Sequence, residues 1–247
     1  MPHPSGKAGG FPTTAVSQVL AVRSTEPAVR AAALRILAHA YLGPVYKYTR
    51  LKWHKGEDEA RDITQSFFAT ALEQDTFAAY DPAKARFRTF LRVCLDRFIS
   101  NDNRARRAQK RGGDLQFAPL DFDAVEREVA RAPAAALPSA EDYFHQEWLR
   151  ELTRASVEAL REELAAKQKF VHFHVFERLD LTDDEGARPA YADLAAELGL
   201  SVTDVTNRLT YARRAFRRVV LQKLRELTAT EEEFEEEAKA LLGVEGA

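Results

Sequence analysis

The stretch from Tyr191 to Leu209 narrows the fold more than any other part of the chain. Ala195 is small enough for two helices to cross closely. Gly199, four residues on, suits a tight turn that needs a positive φ. Ser201 can cap the helix that follows, and Asp204 three residues later approximates a capping box. Val205 then falls where it packs back under the first helix. This combination has the geometry of a helix-turn-helix. The second helix stays in phase well beyond the motif. Val205, Leu209, Ala212, Phe216, Val219 and Leu224 form one side; Asp204, Asn207, Arg208, Tyr211, Arg214 and Arg218 form the other. Asn, Arg and Tyr side chains on such a face can reach base edges and phosphates. The competing reading is an ordinary helical hairpin with a glycine C-cap. The crowding of bases on one face, with no acid from Val205 to Arg225, favours a DNA-reading helix.

The rest of the chain also reads as helix. Apolar residues recur at helical spacing at Leu34, Leu37, Tyr41, Leu42, Val45 and Tyr48, and Gly43-Pro44 is expected to kink or split that helix. A second helix is expected from about Glu57 to Gln74, with Ile63, Phe67 and Ala71 as its stripe. Asp81-Pro82 marks a turn. A third helix opens near Thr89, a suitable N-cap, with Phe90, Leu91, Cys94, Leu95 and Phe98 inward and Arg88, Arg92, Asp96, Ser100, Asn103 and Arg107 outward. From Asp114 to about Ala140 the pattern fails, and Pro119, Pro133 and Pro138 read as a linker. Periodicity restarts at Ser139/Ala140. Trp148, Leu152, Ala155 and Ala159 line one helix, and Phe170, Phe173, Phe176 and Leu179 line the next. With 11 Gly and 10 Pro in 247 residues and no segment alternating with period two, the expected fold is all-α.

Several function classes drop out. No apolar run is long enough to span a bilayer, so no membrane insertion is expected. The one cysteine, Cys94, cannot form an internal disulfide and fits a reducing cytoplasm. His172 and His174 are two apart and diverge on a helix, which makes a poor metal pair. No phosphate-cradling glycine loop and no nucleophile–base constellation is present, so no catalytic residue, metal or cofactor is expected. Net charge is −2, but its distribution is uneven. Arg86 to Arg111 carries nine bases against two acids, Val205 to Arg225 carries seven bases, and Glu226 to Glu237 carries seven Glu and no base. Basic blocks of this kind point to polyanion contacts that the total conceals.

Three segments of the first half carry a family resemblance: Asp62-Ile63-Thr64-Gln65-Ser66-Phe67-Phe68, Phe77 to Tyr80-Asp81-Pro82, and Arg86-Phe87-Arg88-Thr89-Phe90-Leu91. They resemble region 2 of bacterial RNA polymerase sigma factors of the sigma-70 family, above all the extracytoplasmic-function (ECF) class. The helix-turn-helix from Tyr191 to Arg218 resembles region 4 of the same class, and the order of the two agrees. The resemblance implies two helical domains, a region 2 bundle and a region 4 helix-turn-helix, joined by a flexible linker. The expected divisions are a flexible tail (1–27), region 2 (28–113), a linker (114–140), region 4 (141–228) and an acidic extension (229–247).

The resemblance also implies partners and roles. The partners are RNA polymerase core enzyme and promoter DNA, with room for an anti-sigma factor or another regulator. Asp62, Gln65 and Phe68 would dock on the polymerase, where a carboxylate and an amide suit a basic helix and an exposed Phe68 fills a groove. Promoter melting and −10 recognition would fall to Phe87, Arg88, Arg92, Arg97, Asn101, Asn103, Arg104, Arg106, Arg107, Lys110 and Arg111. An aromatic among them would stack on unpaired bases. Arg97 stands about where many relatives have Asn. The −35 element would be met by Thr203, Asn207, Arg208 and Tyr211 at bases and by Arg213, Arg214, Arg217 and Arg218 at phosphates.

Two other readings remain open at this level. One is a helix-turn-helix transcriptional regulator with an N-terminal helical dimerisation or sensing domain. The other is a helical adaptor that does not read DNA. The acidic extension, with Phe234, Ala238 and Leu241 at helical spacing, is expected to fold over the basic recognition face, to bind a regulator, or to end the chain as a solvated amphipathic helix.

Overall fold

The computed structural model describes residues 17–106, 139–182 and 188–242. Among these the regular elements are all helical, in this order: α1 (Gln18–Ala21), α2 (Pro27–Lys52), α3 (Glu57–Glu73), a 3₁₀ turn (Thr76–Ala79), α4 (Phe87–Arg106), α5 (Ala140–Ala166), α6 (Phe170–Asp180), α7 (Tyr191–Leu198), α8 (Val202–Leu227) and α9 (Glu231–Leu242). The all-α expectation holds. Residues 107–138, which include most of the expected linker, lie outside the described residues.

Helix α2 runs through Gly43-Pro44 as one helix, so of the expected kink or split there is no split. Every residue from Tyr41 to Thr49 is buried, so this stretch of α2 is enclosed on all sides. Packing around its whole circumference outweighs the one backbone hydrogen bond that Pro44 removes. Helix α4 starts at Phe87, two residues before the expected cap. Thr89 sits inside the helix and its hydroxyl donates to Glu141 on α5 at 2.9 Å. Asp81 forms the expected turn, accepting the Ala83 N–H at 3.1 Å. Ser139 caps α5 by accepting the Asp142 N–H at 3.1 Å.

Two apolar cores form. The first joins α1 to α4 with Phe144, Trp148 and Leu152 of α5, Leu224 and Leu227 of α8, and Phe234 of α9. The second gathers Leu160 and Leu164 of α5 with α6, α7 and the start of α8, including Val205, Leu209 and Ala212. The cores therefore part within α5, between Leu152 and Leu160, and within α8, between Ala215 and Leu224. Two continuous helices run through both cores. Residues 17–27, placed by sequence in a flexible tail, include α1, whose Val19 is buried in the first core, and Ser17, whose hydroxyl donates to the Thr228 carbonyl at 2.6 Å.

The joint is aromatic. Tyr41 of α2 stacks on Phe144 and Trp148 of α5 at 6.3 and 6.5 Å, and meets Phe87 of α4 edge-on at 5.7 Å. Phe77 and Tyr80 close on Phe87 at 5.5 and 5.2 Å. Beside this cluster Lys47 of α2 donates to Glu147 of α5 at 2.7 Å, and that carboxylate is 2% exposed. Phe170, expected on the inner stripe of its helix, stands at the first residue of α6 and is exposed. No helix among the described residues is long and apolar enough to cross a membrane.

Truncating Trp148 removes a large ring from this joint. Trp148→Ala is expected to lower the unfolding free energy by about 3–5 kcal/mol, read from urea denaturation followed by circular dichroism. A loss within the range of surface substitutions, about 0.5 kcal/mol, would contradict its place at the joint.

Candidate functional site

The helix-turn-helix is built as its residues require. Gly199 ends α7 at φ 64°, ψ 35°. Its conformation lets Leu200 return its N–H to the Ala195 carbonyl at 2.9 Å. A Cβ at Gly199 would meet nothing within 4 Å, so backbone strain alone demands glycine there. Ser201 accepts the Asp204 N–H at 3.0 Å, and the Asp204 carboxylate accepts the Ser201 N–H at 3.2 Å and its hydroxyl at 2.7 Å. The capping box is complete and fixes where α8 enters. Ala195, Leu194 and Val205 are buried between the two helices.

The basic residues of α8 divide into two sets. Thr203, Asn207 and Arg214 are exposed at spacings of four and seven, on one stripe. Arg217 is half-buried, and neither it nor Arg214 makes an ion pair among the described residues. Arg213, by contrast, makes a two-pronged contact with Asp180 at the end of α6, at 2.8 and 2.7 Å. Arg218 pairs with Glu163 of α5. Arg208 is half-buried, 3.6 Å from Asp204. Tyr211 is half-buried, with His172 edge-on at 5.2 Å and the Lys169 ammonium 3.6 Å above its ring. Arg213 and Arg218 thus brace the helix, while Thr203, Asn207 and Arg214 face outward.

Helix α4 presents the second basic face. Arg97 and Asn101 are exposed, and with Val93, Asp96 and Ser100 they line a shallow depression. Asp96, one of only two acids in the basic block, is the hub of this face. It accepts Tyr48 Oη at 3.1 Å, Trp53 Nε1 at 2.9 Å and Arg92 at 3.1 Å, and so pins the end of α2 to α4. Burial, helped by the Asp96 charge, pushes the Tyr48 hydroxyl up to about 12. Two expected contacts are corrected here. Phe87 is fully buried in the aromatic joint and presents no face to a base. Arg88 is 8% exposed, ion-paired with Glu237 of α9 and 5.3 Å above the Trp148 ring. Of Asn103, Arg104 and Arg106 no side chain is described; Arg107, Lys110 and Arg111 lie outside the described residues.

On α3, Asp62 is exposed and Gln65 half-buried. Phe68, expected to be exposed, is 2% exposed and packs against Phe67 at 5.2 Å. Spacing alone could not tell which of two adjacent phenylalanines faces in; here both do. The outer face around Asp62 carries Asp58, Ser66 and Glu73 instead.

The acidic helix α9 does not cover the outward stripe of α8. Glu231 pairs with Arg225. Asn207 lies 18 residues before Arg225 on the same helix, about 27 Å away at roughly 1.5 Å per residue. Glu237 reaches Arg86, Arg88 and, at 3.1 Å, His145 Nε2. Burial alone would raise its carboxyl; the His145 and Arg88 contacts outweigh this and hold it below the usual carboxylate range.

Compared with known families, residues 48–223 match the ECF sigma factor model. The match covers more than half of the chain and takes in α3 to α7 and most of α8, leaving out α1 and α9. Neither the curated proteins nor the solved structures give a match.

The Ser201 hydroxyl, and then its N–H, hold the Asp204 carboxyl below its ordinary range. A depressed carboxyl contributes stability above its unfolded value of about 3.9 and loses it as pH falls through the folded value. Thermal melts from neutral pH into acid should therefore fall more steeply for the wild type than for Asp204→Asn. Parallel curves would count against the box.

Proposed function

The chain belongs to the ECF sigma factor family, the DNA-binding factors of transcription initiation, and on that premise we propose how its two basic faces divide the work. Helix α8 reads the −35 element in the major groove. Its capped start and its outward stripe of Thr203, Asn207 and Arg214 are the observation that carries this reading. Asn207 has the amide that pairs bidentately with adenine, and Thr203 can donate to or accept from either base type. Arg214, about two turns further along with Arg217 beside it, supplies phosphate contact. Arg208 and Tyr211 contribute only after leaving their present partners. Arg213 and Arg218 act indirectly, by holding α8 against α6 and α5.

The −10 side falls to the outward face of α4. Arg97 and Asn101 are its leading candidates, with Arg92 held by Asp96 as a positioned neighbour. Asn103, Arg104, Arg106, Arg107, Lys110 and Arg111 extend the same basic block along the sequence. Arg at position 97 favours an acceptor-rich base edge such as that of guanine. Melting follows where this face holds the opened strand against re-pairing, helped by phosphate neutralisation. Asp62 and Gln65 on the acidic outer face of α3 suit a basic surface of core polymerase, in the compartment where the enzyme works.

Transcription in vitro with purified core polymerase tests the reading. Start-site-specific RNA should depend on adding the chain. Absence of such RNA, or a dimer that binds a palindrome without polymerase, would overturn it in favour of a conventional regulator. Within that assay Asn207→Ala should cost about 1–3 kcal/mol of promoter binding at one base position, whereas Arg214→Ala should weaken all sequences alike and lower the salt slope by about one.

A further inference from the structure

Helix α9 lies beyond the family-matched residues, yet it is docked by charged contacts as well as by Phe234, Ala238 and Leu241 against the first core. Phe234 is its one buried apolar side chain, against the buried carboxyl residues Glu233 and Glu237. Glu237 is 2% exposed and meets basic side chains from two separate segments: Arg86 and Arg88 around the start of α4, and His145 on α5. Glu236 adds a second contact to Arg86. At its other end Glu231 holds Arg225 of α8, whose guanidinium stacks 3.8 Å above Phe234. One short helix therefore ties α4, α5 and the end of α8 together. Thr228 leaves α8 in extended backbone and is itself buried and held by Ser17, so α9 parts from the body only beyond it.

We propose that α9 is a built-in latch, in which the carboxylates of Glu236 and Glu237 stand in for DNA phosphate on Arg86 and Arg88 and restrain initiation until they are displaced. The inhibitory half of this inference rests on the sigma-factor reading; the latch itself does not. Carboxylate and phosphate offer the arginine fork the same two-oxygen geometry, so a polyanion competes directly for these side chains. Because Glu237 is buried, competition acts by moving the whole helix, which makes the change two-state. Salt weakens the ion pairs of the docked state as it weakens phosphate contact. The stripe of Thr203, Asn207 and Arg214 stays open throughout, so the latch restrains the region 2 side and not the −35 contact.

Three chains test it: Glu237→Gln, a chain ended after Thr230, and Glu232→Gln as a control of equal charge change at an exposed position of α9. Amide hydrogen exchange of the free full-length proteins reports docking. Exchange in α9 should be about tenfold faster in Glu237→Gln than in Glu232→Gln, the scale of a lost charge-assisted hydrogen bond. With core polymerase at low salt, Glu237→Gln and the shortened chain should both give several-fold more start-site-specific RNA than wild type. Binding of −35 duplex should not change. Unaltered exchange in Glu237→Gln overturns the latch. Faster exchange without more RNA from either variant overturns its inhibitory role and leaves α9 a structural brace. Should Glu237→Gln fail to melt cooperatively, the shortened chain, which never contains the helix, decides on RNA yield alone. If no chain, wild type included, initiates, the sigma-factor reading and the inhibitory role both fall, while exchange still decides the latch.

Discussion

The insertion of Phe144 and Trp148 against Tyr41 and Phe87 sets the position of everything else in this chain. Helix α5 carries both rings into the first core and Leu160 and Leu164 into the second, so it cannot move relative to one without disturbing the other. Helix α8 does the same in reverse, with Val205 and Leu209 in the second core and Leu224 and Leu227 in the first. The two basic faces are thereby placed on one packed body. Close packing at such joints admits few intermediate arrangements, so separation of the cores is a discrete event.

The arginines sort by what the body needs from them. Arg88, Arg213 and Arg218 are consumed by internal carboxylates: Glu237, Asp180 and Glu163. Arg92 is half-consumed, bonded to an Asp96 that also takes Tyr48 and Trp53. Arg97 and Arg214 point outward. The exposed pairs of Arg213 and Arg218 contribute little stability each, about 0–1 kcal/mol, but they fix side-chain direction, whereas the Arg88–Glu237 pair is buried. Their effect on function is to decide which cations a polyanion can reach.

Local geometry was legible in the sequence because it depends on neighbours in the chain. Ala195, Gly199, Ser201, Asp204 and Val205 each sit where spacing put them, and α3 keeps its expected bounds to within a residue. What escaped sequence reasoning depends on residues far apart. Periodicity marks one apolar side of α4, but only the ring cluster from α2 and α5 makes Phe87 its centre and hides Arg88 beneath Trp148 and Glu237. Phe67 and Phe68 are adjacent and on spacing only one should face in; the body around α3 encloses both. Pro44 reads as a break until the burial of Tyr41 to Thr49 on every side is known. Asp96 left a usable trace, one of two acids in a basic block and four residues from Arg92. Glu237 left none, since six similar glutamates precede it in the same acidic block.

Hydrogen exchange along α2 and α5 in the free chain tests the shared core most directly. Amides around Tyr41 and around Trp148 should show matching protection and lose it together as denaturant is raised, as one cooperative unit. Protection around Trp148 that disappears at lower denaturant, while α2 stays closed, would contradict the joint on which this account is built.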